Sequence, residues 1–175
     1  IEFNPAQVKA YRLIGYENRM LKNEDFNNDQ KDAGELGAGH SVTALYEIVP
    51  QGKEISLPEV DKLKYQETNV KANSYHSKEI MTVKFRYKAP NSDVSKLIVK
   101  TIENKELKLN QTSDDFRFSA AVAGLGLLMR DSEYKGKITS EDIIALAKGA
   151  KGQDNEGYRD EFVRLAQEFN GLTHP

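Results

Sequence analysis

Up to about residue 112, hydrophobic side chains recur at every second position, which is the period of a β-strand. The clearest case runs over residues 81–88, where Met81, Val83, Phe85 and Tyr87 alternate with Thr82, Lys84, Arg86 and Lys88. This alternation predicts a half-exposed strand, with one face toward a core and the other toward water.

A second strand is predicted over residues 42–49. Apolar side chains lie on both of its faces, as is typical of a strand at the centre of a sheet. Pro90-Asn91-Ser92-Asp93 predicts a turn between two strands. Shorter strand signals lie at residues 1–3, 8–16, 96–102 and 107–109. Residues 51–78 form a long polar connection, with at most one short strand near residues 63–65. This spacing predicts an antiparallel, sandwich-like β region.

From Ser113 onward the hydrophobic period changes to about 3.6 residues, the period of an α-helix. The first helix carries apolar residues nearly all round and is therefore predicted to be buried. Its residues predicted to lie in the main core, against the sheet, are Phe118, Val122, Leu125 and Met129. Gly124 and Gly126 lower helix propensity, so we expect a neighbouring backbone to approach them closely.

Two further helices follow. Thr139 and Asp142 form a capping-box pattern before a helix over residues 143–150, which Gly152 can end. The last helix is predicted to bury Tyr158, Phe162, Leu165, Ala166 and Phe169 and to turn Arg159, Glu161, Arg164 and Glu168 to water. The prediction is one α+β domain over residues 1–175, β-rich over 1–112 and helical over 113–173, with the three helices packed on the β region.

Composition narrows the function classes. The chain has 175 residues, 30% of them charged and 38% hydrophobic, and a net charge of −2. That balance is typical of a globular protein and offers no chain-wide basic field for nucleic acid or anionic lipid. No cysteine is present, which excludes disulfides, thiol nucleophiles and cysteine-ligated zinc. The chain begins at Ile1, so we expect a fragment or mature product joined to an upstream domain through a short, strand-continuous connection.

An acidic loop over residues 24–40 is one candidate site. Asp25, Asn27 and Asp29 match the opening of a calcium-binding EF-hand loop. The pattern then fails, because Gln30 stands where glycine is needed and Leu36 where a bidentate glutamate belongs. An irregular calcium site using Asp25, Asn27, Asp29, Asp32 and Glu35 stays open as an alternative to a solvated turn, which the composition favours.

His40 is the candidate general base, with Asp32 or Glu35 as its partner. No cysteine or G-x-S-x-G motif supplies a nucleophile, and adjacent Ser41 would point to the opposite face of a strand. A hydrolase is therefore the weakest of the alternatives. Gly37 and Gly39 more readily explain a tight turn before the strand.

Two further motifs are incomplete. Asp93 and Ser95 begin a D-x-S-x-S metal motif, but Leu97 replaces the second serine. Lys84, Arg86 and Lys88 form a basic strand face, whereas Phe85 and Tyr87 lie on the opposite face of that strand. This separation of charge from aromatic rings predicts that single-stranded nucleic acid is not a partner.

Several blocks of residues in order carry a resemblance to a known family. They are FNP at 3–5, YRLIGYENR at 11–19, EDFN at 24–27, DAGE at 32–35, GAGH at 37–40, VTALYE at 42–47, VKFRYK at 83–88, FRF at 116–118 and GYR at 157–159. Over essentially its whole length the chain resembles the C-terminal domain of YfbK-like bacterial proteins that carry a von Willebrand factor type A domain.

The resemblance implies a neighbouring type A domain upstream and a bacterial envelope protein, anchored as a lipoprotein through the missing N-terminal part. It assigns no catalytic, cofactor or metal-binding residue to this domain. The leading expectation is a non-catalytic interaction domain that supports the type A domain, with other envelope proteins as further partners. We expect neither nucleic acid nor direct membrane contact for this fragment.

Overall fold

The computed structural model describes residues 1–15, 37, 39–53 and 70–173. Within them, two antiparallel sheets come first and three α-helices follow, which confirms the α+β class. The chain divides into two compact units, Ile1–Lys105 and Glu106–Pro175. Each unit is described by itself below.

The larger sheet has the order β1-β4-β5, from the strands Glu2–Phe3, Glu79–Lys88 and Ser95–Glu103. β1 pairs only with Met81 and Thr82 of β4. β4 and β5 form a hairpin, and Asn91 at its tip adopts a left-handed backbone with φ of 61°. The strands predicted on both sides of residues 90–93, and the turn between them, are confirmed.

The smaller sheet pairs β2, Val8–Ile14, with β3, Leu45–Pro50. The predicted strand over 42–49 thus begins three residues later, at Leu45. In the described part of the chain β3 pairs with β2 alone, so a central position for this strand is not confirmed there. Leu13 lies opposite Tyr46, and the Tyr46 ring packs edge-on against Phe3 at 5.4 Å between centroids.

The strand predicted at residues 107–109 is wrong. Leu109–Gln111 is instead a short 3-10 helix. The Gln111 side chain accepts a hydrogen bond from the Lys108 backbone N–H at 3.0 Å, and the Gln111 N–H donates to the Lys108 carbonyl at 2.8 Å. These local bonds use backbone groups that a strand would need for a partner.

The helical unit consists of α1, Asp114–Met129; α2, Ser140–Gly149; and α3, Tyr158–Thr173. Ile143 lies at the centre of its core, with no exposed surface. The other buried members are Ala121, Leu125, Ala147, Val163 and Ala166. The absence of a Cβ at Gly124 makes room for Ile143, because a methyl group there would lie 3.3 Å from Ile143 Cγ1. The expected close approach at Gly124 thus comes from side chains rather than from a backbone, and Gly126 has no such neighbour within 4 Å.

Two predictions of burial in α1 are wrong. Leu125 is buried and Phe118 packs against the helical core, but Val122 and Met129 are 44% and 63% exposed. α1 turns one face, with Ala121, Gly124 and Leu125, toward the other helices. Periodicity showed that α1 is apolar on all sides, but the neighbours decide which side is buried.

The stripe predicted on α3 is confirmed at Ala166, Phe162 and Phe169, which are buried or pack against the helical core, and it is wrong at Tyr158 and Leu165. Val163 and Ala166 are buried, whereas Tyr158 and Leu165 are 72% and 49% exposed. Phe162 stays partly buried, edge-on to Phe118 at 5.3 Å.

Arg159 was predicted to face water and instead joins the ends of all three helices. Its guanidinium donates to the carbonyls of Ala150 and Lys151 at 3.2 and 3.1 Å, and it also pairs with Asp115. The same group lies 4.9 Å from the Phe118 ring centroid, within cation–π range. Carbonyls at the end of α2 lack partners within their own helix, so the arginine satisfies acceptors that would otherwise need water.

A side-chain cap starts α2 where the sequence predicts it. The capping box of Thr139 and Asp142 is confirmed. Near the start of α3, Asp154 Oδ2 accepts a hydrogen bond from the Asp160 N–H at 2.8 Å. This bond favours the charged carboxylate and lowers the pKa of Asp154.

Candidate interaction surface

The sequence-predicted metal site lies outside the described residues. Its five candidates, Asp25, Asn27, Asp29, Asp32 and Glu35, all fall in the gap between residues 15 and 37. Within the described ranges, no group of three or more histidine, aspartate or glutamate side chains is placed to hold a metal ion. The calcium hypothesis therefore stays a prediction.

His40 is described, and it lies in an exposed turn. Its backbone N–H donates to the Gly37 carbonyl at 3.1 Å, and Gly39 has a φ of 80°. This is the tight glycine turn that the sequence favours. The proposed partners of His40 in a hydrolase, Asp32 and Glu35, are outside the described ranges.

An open depression of about 350 Å³ lies beside β1 and β4. Its polar lining includes Asn4, whose amide donates to the carbonyls of Ser74 and Glu79 at 3.1 and 2.9 Å. The Asn4 Oδ1 accepts from the Ala6 N–H at 3.0 Å. Because both ends of the Asn4 side chain are occupied by backbone groups, Asn4 ties the turn between β1 and β2 to Ser74 and to the first residue of β4. It is a structural residue of the FNP block rather than a ligand.

The strongest candidate for function is the distal part of the β4–β5 hairpin, residues 84–100, which we term the basic ribbon. Large apolar side chains on it are exposed by 40–70%; they are Phe85, Tyr87, Val94, Leu97, Ile98 and Val99. β1 ends its pairing at Thr82, so in the described residues this part of β4 pairs with β5 alone. Phe85, Tyr87 and Ile98 share one face of the hairpin, and Leu97 and Val99 lie on the other. Exposed apolar patches of this kind mark binding sites more often than ordinary surface.

The ribbon is also strongly cationic. It carries five cationic residues, Lys84, Arg86, Lys88, Lys96 and Lys100, against the single carboxylate of Asp93. The whole chain has a net charge of −2, so this positive charge is local. Arg86 donates to Ser95 Oγ at 2.7 Å across the hairpin, and Lys84 lies 3.5 Å from a Glu2 carboxylate oxygen.

The strand register corrects the predicted separation of charge from aromatic rings. Tyr87 pairs with Lys96, Phe85 with Ile98 and Val83 with Lys100. Directly opposed residues of an antiparallel pair share one face of the sheet. β5 therefore places Lys96 and Lys100 on the face that carries Phe85 and Tyr87, whose rings are 6.5 Å apart and nearly parallel at 22°.

The sequence analysis treated the two strands separately and so missed that these two lysines share a face with the aromatic rings. The turn at residues 90–93 could have predicted this placement. Pairing the strands outward from the turn, with Lys88 opposite Ser95, sets Lys96 opposite Tyr87 and Lys100 opposite Val83. The incomplete metal motif that begins at Asp93 coincides with this turn and the start of β5, where Ser95 contacts Arg86.

Comparisons with known proteins agree with the resemblance. The sequence profile of the family described as "Uncharacterized protein YfbK, C-terminal" matches residues 1–172. The chain is 43% identical over 173 residues to the uncharacterized protein YfbK of Escherichia coli K12. That match covers 99% of this chain and 29% of the relative, so the chain spans less than a third of the longer protein. No solved structure matches, and no described helix is long and apolar enough to cross a membrane.

Proposed function

Since the chain belongs to the family of YfbK C-terminal domains, we propose that it is a non-catalytic interaction domain of a bacterial envelope protein. In this proposal it supports a neighbouring von Willebrand factor type A domain by binding it through the basic ribbon. The envelope location and the type A neighbour rest on the family resemblance. The binding role rests on the ribbon itself.

The observation that carries the proposal is the exposure of the ribbon's apolar side chains. Ile98 and Val99 are both 53% exposed although they occupy the middle of β5, and they belong to opposite faces of the hairpin. A two-stranded hairpin with both faces in water is marginally stable, so contact with another surface would stabilise it. Aromatic anchors such as Phe85 and Tyr87 are also the residue types that dominate protein interfaces.

The test is calorimetric titration of the separately produced type A domain into this chain. We expect saturable binding, weakened at least ~10-fold by Phe85→Ser combined with Ile98→Ser, because central apolar anchors carry most of an interface's free energy. The matched control combines Tyr158→Ser with Leu172→Ser, which removes an aromatic and an aliphatic side chain, both highly exposed, from α3.

Two results would refute the proposal. One is the absence of measurable heat at any accessible concentration of the type A domain. The other is an equal loss of affinity in the ribbon variant and the α3 variant, since the ribbon would then have no particular role.

A further inference from the structure

We infer that the outer edge of β5 binds an extended, acidic segment of a protein partner as an added β-strand. This inference rests on the proposed protein-binding function and specifies the chemistry of the partner. It is carried by the edge position of β5, the alternation of its side chains, and its charge.

β5 has an edge open to pairing in the described part of the chain. It is nine residues long and lies last in the order β1-β4-β5. In an antiparallel pair, alternate residues direct their N–H and C=O groups away from the neighbouring strand. Such a row of backbone donors and acceptors is a template for strand addition.

The side chains along β5 define what an added strand would carry. Lys96, Ile98 and Lys100 share the face of Phe85 and Tyr87, while Leu97 and Val99 lie on the face of Lys84 and Arg86. Opposite charges and apolar side chains are favourable directly across a pair of strands. The complementary segment therefore reads acidic, apolar, apolar, apolar, acidic.

The two lysines of β5, Lys96 and Lys100, favour a partner segment with negative charge. Within the described residues neither Lys96 nor Lys100 forms an ion pair, in contrast to Lys84, which pairs with Glu2. Lysines on an edge strand discourage pairing with neutral or basic strands, because their charge must be desolvated without compensation. A segment with carboxylates at the matching positions would supply that compensation.

A second copy of this chain is a poor occupant of the same edge. Antiparallel pairing of two β5 strands centred on Ile98 would set Lys96 of one copy against Lys100 of the other. Like charges directly opposite are destabilising. The favoured occupant is thus a different, acidic segment.

The experiment uses three fluorescein-labelled peptides and the intact chain, with binding followed by fluorescence anisotropy. The acidic peptide is Thr-Glu-Val-Ile-Val-Glu-Thr, the basic peptide replaces both glutamates with lysine, and the proline peptide replaces both valines of the acidic one with proline. We expect the acidic peptide to bind at least ~10-fold more tightly than either of the others. The proline peptide keeps the charge but lacks the backbone donors opposite Leu97 and Val99, the residues of β5 whose backbone groups face away from β4, so it separates strand addition from simple attraction.

Charge reversal on the protein completes the test. Lys96→Glu with Lys100→Glu should abolish binding of the acidic peptide and favour the basic one. The matched control, Lys105→Glu with Lys108→Glu, introduces the same charge change at two exposed positions outside β5 and should leave the preference unchanged. Amide hydrogen exchange of β5 should slow when the acidic peptide binds, as added hydrogen bonds protect the strand.

The inference would be overturned by equal binding of the acidic and basic peptides, or by undiminished binding of the proline peptide. It would also be overturned if single-stranded oligo-dT or phosphatidylglycerol vesicles bound the ribbon and the acidic peptide did not. If the peptides fail while the type A domain still needs Phe85 and Ile98, only this inference falls. If neither binds, the proposed function falls with it.

Discussion

Replacing Ile143 with alanine is expected to lower the free energy of unfolding of the helical unit by about 2–5 kcal/mol. Ile143 is fully buried at the centre of α1, α2 and α3, and its side chain fills the space beside Gly124. Truncation would remove buried apolar surface and leave a cavity that these helices can fill only by moving. Urea denaturation followed by circular dichroism of the helices measures the change.

Met129→Ala is the control for this prediction. Met129 belongs to the same unit and is 63% exposed, so its truncation should change the free energy by less than ~1 kcal/mol. Similar losses in the two variants would contradict the assignment of the core to the face of α1 that carries Leu125.

The second large effect is expected for Asn4→Ala, which should destabilise the β-rich unit by about 2 kcal/mol. The side chain of Asn4 takes part in three hydrogen bonds, to the Ser74 and Glu79 carbonyls and from the Ala6 N–H. Each such bond contributes roughly 0.5–1.5 kcal/mol, and a partner left buried and unpaired adds a further cost. Urea denaturation followed by tyrosine fluorescence reports on this unit, because Tyr11 and Tyr46 pack near Phe3.

Asn4→Asp distinguishes the hydrogen bonds that the Asn4 amide donates from the one that it accepts. Aspartate keeps an acceptor for the Ala6 N–H but places negative oxygen atoms beside two carbonyls, so it should be at least as damaging as alanine. Full stability in Asn4→Asp would show that the donated bonds to Ser74 and Glu79 contribute nothing.

Features set by local interactions were predictable from the sequence. The alternation over residues 81–88 and the turn that follows it gave the hairpin, because strand faces and turn residues act over a few positions. Thr139 and Asp142 marked the start of α2 for the same reason. The GYR block at residues 157–159 was recognisable as a pattern, although its role in joining helix ends was not.

Features set by distant neighbours were not predictable. The apolar residues of α1 surround the helix, so the choice between burying Leu125 and burying Val122 depends on where α2 and α3 pack. Arg159 was assigned to water because its contacts with Asp115 and with the end of α2 depend on how the three helices pack. The strand at 107–109 failed because the Gln111 side chain supplied local hydrogen bonds that favour a 3-10 turn.

The basic ribbon has features that the sequence predicted and one that it did not. The basic residues of β4 were visible as a pattern, and so were Phe85 and Tyr87 on the other face. The presence of Lys96 and Lys100 beside those rings depends on the register between two strands. Because of that register, one face of the hairpin carries both the two lysines of β5 and the two aromatic rings of β4.

We propose above that this domain uses the basic ribbon to bind the type A domain that the family resemblance implies. The decisive test of this proposal is hydrogen–deuterium exchange of this chain alone, compared with a longer protein in which the proposed type A domain precedes it. We expect slower amide exchange across residues 84–100 in the longer protein, with α2 unchanged as an internal reference, because an interface protects strand amides from opening. Identical exchange of the ribbon in the two samples would contradict the claim.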